Sequence, residues 1–202
     1  IPMWGVQTAT ITLTPGKRET LNTIYLLRAM AKIQVSLNEE MAKEYSLSEV
    51  TLNKHNATGI CLPTGAEGAA NTKELGLEDV LNAKKSSEQT PLKFKKDGDS
   101  YVVYLPEVVN DGSSEDGSSY IVYLPEVKNG TSETDWLKIS VELDELDENG
   151  KPTGGKEEGS FFIKDYSNED NPVAIDIIRN HWYQYTITGF AASEIQVEYN
   201  VL

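Results

Sequence analysis

The side chains that most often do chemistry are scarce in this chain. It has two histidines, His55 and His181, and one cysteine, Cys61. Neither histidine has a cysteine or a second histidine at ligand spacing, whereas zinc needs three or four such ligands converging on one point. The same inventory suggests no Ser–His–Asp or Cys–His arrangement. Neither a phosphate-cradling G-x-x-x-x-G-K-[ST] loop nor a G-x-G-x-x-G turn is written anywhere. Cys61, inside TGICLP, reads as a small buried apolar residue, and one cysteine builds no disulfide framework.

Oxygen ligands are the abundant alternative. ELDENGKPTGGK, from Glu145 to Lys156, comes nearest to a calcium-binding loop, with Asp147, Asn149 and Gly150 at loop positions 3, 5 and 6. Position 1 is Glu145 rather than Asp, and position 12 is Lys156 where a bidentate Glu is required. A lysine there opposes the ion, so the motif fails. The run from Asp111 to Gly117 reads as a solvated hairpin tip, with a weak, irregular calcium site as the alternative. Paired carboxylates such as Asp144 and Glu145 arise by chance among 32 acids, so glycosidase chemistry has no specific support. Asn56-Ala-Thr58 and Asn129-Gly-Thr131 match the N-glycosylation triplet, a pattern common by chance. The expectation is a protein that is not an enzyme, with no catalytic residues, no cofactor and no bound metal.

The balance of charge narrows the partners. Eighteen bases against 32 acids leave a net charge of −14, a surface that repels nucleic-acid phosphate and anionic lipid heads alike. No stretch approaches the roughly 18 to 20 apolar residues of a membrane-spanning helix. No basic start followed by an apolar run marks a signal peptide. The chain opens Ile-Pro-Met-Trp-Gly without an initiator methionine, as expected of a piece of a longer precursor.

The elements that would position any site are strands. With 39% apolar and 25% charged residues the composition is that of a folded protein, and its apolar residues fall in short alternating runs between turn residues. Thr8 to Thr14 is a β-branched run ended by Pro15-Gly16. WLKISVEL puts Leu137, Ile139, Val141 and Leu143 on one face. EIQVEYNV does the same with Ile195, Val197, Tyr199 and Val201. HWYQYTITGF is rich in the aromatic and β-branched residues that suit a pleated surface. The segment from Ile24 to Leu37 carries both periods. Its unbroken period-2 face, Tyr25, Leu27, Ala29, Ala31, Ile33, Val35 and Leu37, favours one long strand over a helix. Short helices are expected at Glu39 to Tyr45 and at Lys73 to Lys84. Thr64 to Gln89 is poor in strand formers and rich in Gly, Ala, Ser and Asn. The expected organisation is a part domain over residues 1–65, a linker over 66–90 and a second β-domain over 91–202.

One strand is written twice. Tyr101-Val-Val-Tyr-Leu-Pro-Glu-Val108 returns as Tyr120-Ile-Val-Tyr-Leu-Pro-Glu-Val127, with a Gly/Ser/Asp-rich joint between. Proline cannot donate to a ladder, so each copy should stop at its Leu-Pro. The two are expected to be neighbouring strands of the second domain, joined as a hairpin. Such freedom at an edge suits a structural or adhesive protein better than a catalytic site.

Four phrases, in order and spaced across nearly the whole chain, resemble the fimbrillins, subunits of protease-assembled pili on Bacteroidetes cell surfaces. IPMWG carries Pro2, Met3 and Gly5 of an I/F-P-M-x-G phrase. LLRAMAKIQV carries Arg28, Ala31, Lys32 and Ile33 of L-x-R-x-x-A-K-I-x-V. IVYLPE carries Pro125 and Glu126 of Y-x-P-E. IIRNHWYQYTITGF carries Arg179, Asn180 and Tyr183 of R-N-x-x-Y-x-I and is the most specific of the four.

The resemblance implies an all-β fold of two antiparallel, transthyretin-like β-sandwich domains with a few short helices. It implies export as a lipoprotein precursor to the outer membrane and a place in cell-surface fimbriae, as subunit, anchor or tip. It also implies removal of an N-terminal strand by an Arg-specific protease, and filling of the groove by a neighbour's strand. The implied partners are other fimbrial subunits, in a homo- or hetero-polymer, and a host or bacterial surface protein or glycan. Membrane contact would come only through a lipid anchor ahead of Ile1. The lipidated Cys and cleavage Arg of that family are not among the residues from Ile1 on, and Cys61 stands mid-chain. Ile195, Val197, Tyr199 and Val201 are the candidate donor strand, because a terminal strand can leave without breaking a connection. A carbohydrate-binding or adhesin module on the same scaffold is the alternative, with Trp182, Tyr183 and Tyr185 as its aromatic row.

Overall fold

Among the described residues, alternation in the sequence is realised as eleven strands, beside one short α-helix and a 3-10 turn at Glu133–Asp135. The computed structural model describes residues 3–6, 12, 14–18, 20, 23–56, 91–96, 119–166, 172–191 and 194–202. In chain order the elements are β1 (Met3–Trp4), β2 (Leu27–Arg28), β3 (Ala31–Leu37), α1 (Met41–Glu44), β4 (Tyr45–Leu52), β5 (Leu92–Lys93), β6 (Lys95–Lys96), β7 (Ser119–Leu124), β8 (Lys138–Leu146), β9 (Pro152–Phe162), β10 (Trp182–Ala191) and β11 (Glu194–Val201). One sheet runs β11-β10-β3-β7-β6, the other β5-β4-β8-β9, and β1 with β2 forms a separate ribbon. The chain is an all-β sandwich. All the ladders are antiparallel except β3 with β10, where Lys32 to Leu37 lie parallel to Trp182 to Ile187.

Period-2 alternation buries one side of each sheet against the other. On β8, Leu137 just ahead of the strand and Ile139, Val141 and Leu143 within it are buried, as their spacing requires. They meet Ala31, Ile33 and Val35 of β3 and Tyr183, Tyr185 and Ile187 of β10 in one cluster. Helix α1 falls inside the stretch expected to be helical. The turn ahead of it is held by Asn38, whose Oδ1 accepts from the Met41 N–H at 2.8 Å. Strand β7 stops at Leu124, the residue before Pro125.

The two lateral sides of the sandwich close differently. On one, residues 92–96 step from sheet to sheet: Leu92 and Lys93 pair with β4, Lys95 and Lys96 with β7. Phe94 points between the layers, 5% exposed, and its N–H donates to Val50 O at 2.8 Å. On the other side β9 and β11 are the long outer strands of their sheets. They touch at Gly159, where a Cβ would stand 2.6 Å from Ile195 Cγ1. Only glycine leaves space for that isoleucine.

Two expectations need correction. The linker does not divide the described fold. Strands β3 and β4, from before it, are hydrogen-bonded to β7, β8 and β10, from after it, and one core draws on both. Composition locates a break in periodicity, whereas sheet membership is decided by pairing between distant residues. The long strand from Ile24 to Leu37 is also interrupted. Residues 29 and 30 bend between β2 and β3, and the Met30 carbonyl leaves the ladder to accept from the Asn180 N–H at 3.0 Å. Tyr25, the first residue of the expected face, is 47% exposed, while Ala31, Ile33 and Val35 are fully buried. The helix expected at Lys73 to Lys84, the first copy of the repeated strand, the Asp111 to Gly117 run, Cys61, Pro2 and most of Thr8 to Thr14 lie outside the described residues.

Candidate functional site

Residues from all four phrases meet at one pole of the sandwich. β1 pairs with β2, setting Met3 opposite Arg28. Gly5 lies against the same ribbon, where a Cβ would stand 2.5 Å from Tyr25 O. Ala31 and Ile33 are wholly buried. Lys32 keeps to the outer face, its Nζ 3.9 Å from the Trp182 ring centroid, a cation–π contact that joins β3 to β10. Pro125 ends β7 and delivers Glu126 to Arg179. The guanidinium donates twice, Nε to Oε1 at 2.7 Å and Nη2 to Oε2 at 2.9 Å. Arg179 is 3% exposed, so this is a buried, bidentate pair.

The turn after Arg179 sets the start of β10. Asn180 has φ 62°, a left-handed conformation that asparagine tolerates better than most residues. Its Oδ1 accepts from the Arg28 N–H at 3.4 Å, and Lys32 N–H donates to His181 O at 3.0 Å. Tyr183 then buries its ring, accepts from Ile178 N–H at 2.9 Å and donates to Asp176 O at 3.0 Å. Burial pushes its phenol up to about 12. These residues fix where β7 ends and β10 begins.

Asn129 stands out in the sequence only by a glycosylation triplet, a pattern common by chance, and in the structure it is a buried tie. It is 5% exposed and spends its whole amide on the main chain. Nδ2 donates to Ile163 O at 2.8 Å and Ile175 O at 2.9 Å, while Oδ1 accepts from Gly130 and Leu137 N–H groups at 2.8 and 2.7 Å. Asn56 is 8% exposed and donates Nδ2 to Glu126 O at 2.7 Å. A glycan on either nitrogen has no room in the folded protein. Asn129 ties the chain beyond β7 and the chain beyond β9 to Leu137 at the start of β8.

The acidic loop closes the β8–β9 hairpin. The Asp147 carboxylate accepts from Asn149 N–H at 2.8 Å and Lys151 N–H at 2.9 Å, bonds that hold it below the usual carboxylate range. That arrangement is a turn device. Among the described residues no group of three or more His, Cys, Asp or Glu is placed to hold a metal. His181 Nδ1 lies 2.9 Å from Arg179 O, inside the turn. Of the expected aromatic row, Tyr183 and Tyr185 are in the core and Trp182 alone is on the outer face.

The candidate donor strand β11 lies at the open lateral side. Among the described residues it pairs only with β10, from Tyr183 opposite Val201 to Ala191 opposite Glu194, with a bulge between Ile187 and Gly189. Ile195 is 5% exposed, Val197 and Tyr199 pack part-buried against the core, and Val201 is 36% exposed. Tyr199 donates its hydroxyl to Asp165 Oδ1 at 2.9 Å, and its ring lies near Tyr185 and Tyr166. The apolar face is therefore anchored at its first residue and loosens toward Leu202.

No protein-family model matches the chain, and no curated protein is significantly similar to it. Among solved structures, the chain has similarity to fimbrial proteins at low identity. The tip fimbrial protein Mfa3 of Porphyromonas gingivalis, truncated at its C-terminus, is 14% identical, with a TM-score of 0.48, over 87% of this chain and 52% of that one. A fimbrilin, FimA, of the same organism is 15% identical, with a TM-score of 0.32, over 93% of this chain and 62% of that one. The chain thus spans about half to three fifths of the length of these proteins.

Proposed function

We propose that the chain is a structural subunit, or an accessory anchor or tip protein, of cell-surface fimbriae, which joins other subunits by exchange of strand β11 and takes part in adhesion. The observation that carries this reading is β11 itself. Among the described residues it pairs on one side only, and it offers an alternating face that is buried at Ile195 and exposed at Val201. The order of the four phrases and their meeting at one pole support the same reading.

Withdrawing β11 would uncover the groove over Tyr185 and Gly159. A large side chain is stabilised by about 1.5–3 kcal/mol on full burial, so an empty groove is unstable and must be refilled. A strand from a neighbouring subunit supplies the same row of main-chain hydrogen bonds to β10 and the same alternate side chains. The carbohydrate-binding alternative requires an aromatic row facing solvent, and the outer face offers the half-buried Trp182 with Lys32 over its ring.

The test is deletion of Glu194 to Leu202 from the full-length protein in its native host. The expected outcome is an exported protein that no longer enters fibres. Normal entry into fibres by the shortened protein would remove β11 as the donor.

A further inference from the structure

The open side of the sandwich has a second outer strand with its own charge pattern. Strand β9 is paired with β8 from Lys138 opposite Phe162 to Asp144 opposite Lys156. Just beyond, Ile163 N–H donates to Leu137 O at 2.9 Å, which fixes the phase of the ladder. Odd-numbered residues of β9 direct their N–H and C=O groups to β8, and Lys156, Glu158, Ser160 and Phe162 direct theirs outward. The Phe162 carbonyl is taken by the Tyr166 hydroxyl at 2.6 Å. The outward groups of Lys156, Glu158 and Ser160 have no main-chain partner among the described residues.

We propose that this edge pairs with a second copy of the chain: two β9 strands lie antiparallel about Glu157, each Lys156 opposite the other copy's Glu158. The phase requires outward residues to oppose outward residues. Pairing about Lys156 sets lysine against lysine, and pairing about Glu158 sets glutamate against glutamate. Pairing about Glu157 sets opposite charges together twice, and places Gly155 opposite Gly159, where no side chains collide. It brings the two Glu157 side chains together once, a smaller penalty than the doubled attraction offsets. Lys156 bridges loosely to two carboxylates of β8 and would share its charge across the contact. Its Nζ is 3.6 Å from Glu142 and 3.8 Å from Asp144, with the side chain 56% exposed. β11 has no such code. Glu194, Glu198 and no cation lie along it, so self-pairing there sets no opposite charges together. The contact leaves β11 in place and is independent of strand exchange.

The test is sedimentation of the whole chain and its variants over rising concentration, with far-UV circular dichroism to confirm folding. The expected result is a reversible monomer–dimer equilibrium starting from the 22.4 kDa chain. Lys156→Glu and Glu158→Lys should each weaken it about tenfold or more, since the two-fold axis applies each change twice. The two variants shift net charge in opposite directions, so general repulsion would weaken one and strengthen the other. The double variant K156E/E158K should restore the dimer. Glu158→Pro, which removes an outward N–H without touching the β8 ladder, should abolish it. A chain monomeric at every concentration overturns the proposal, as does a dimer indifferent to these charges or one the double variant fails to restore.

Discussion

The pole and the open side of this sandwich treat polar groups in opposite ways. At the pole Arg179, Glu126, Asn129 and Tyr183 are buried or nearly so, and each is answered by named partners at 2.7 to 3.0 Å. At the open side β9 and β11 present main-chain groups that no further strand among the described residues takes up. A satisfied buried network is stiff, because loss of one member strands the others. An unsatisfied edge is a template. The molecule is held at one place and left available at another, and the phrases that looked most distinctive in the sequence belong mainly to the part that is held.

The sharpest way to break this comparison is Arg179→Ala, which leaves the Glu126 carboxylate buried and unpaired. A loss of about 3–5 kcal/mol in urea unfolding is expected. A loss no larger than that of an edge substitution would erase the distinction. Alkaline titration probes the same pole. The Tyr183 phenol has its folded pKa raised from 10.0 to about 12 by burial, so its contribution is complete below pH 10 and is lost as pH rises toward 12. Unfolding measured across that window should show stability falling by a value on the order of 2 kcal/mol, less in Tyr183→Phe. Gly159→Val sharpens the account of the open side. Its side chain enters space held by Ile195, and overpacking of this kind costs about 1–3 kcal/mol. Amide exchange should quicken in β11 and stay unchanged in β8. Val201→Ala, at the loose end of β11, should change stability by no more than about 0.5 kcal/mol.

What could be read in advance was whatever repeats locally. The faces of β8 and β11 and the stop at Pro125 follow from periods of two and a missing N–H. The partners of those elements did not follow. Nothing near Ile33 says that Tyr183 lies beside it, or that the ladder there is parallel. The break at residues 29 and 30 is set by Asn180, which no window around Met30 contains. Glu126 and Arg179 were both singled out, yet their pairing was invisible, because a buried ion pair is written as two ordinary charges far apart. Asn129 carried only a misleading signal: the triplet describes a surface asparagine, and this one is interior.

The parallel register of β3 with β10 sets a clock on folding. Ile33 and its partner Tyr183 are 150 positions apart. At about 5–20 residues per second, the ribosome needs roughly 8 to 30 s to make the chain between them. Through that interval β3 can take up β7 on one side and must leave the other side empty. Contacts of such long span are also slow to form once the chain is complete. The strand at the centre of the finished sheet is thus, until β10 reaches it, an apolar strand with one edge unpaired.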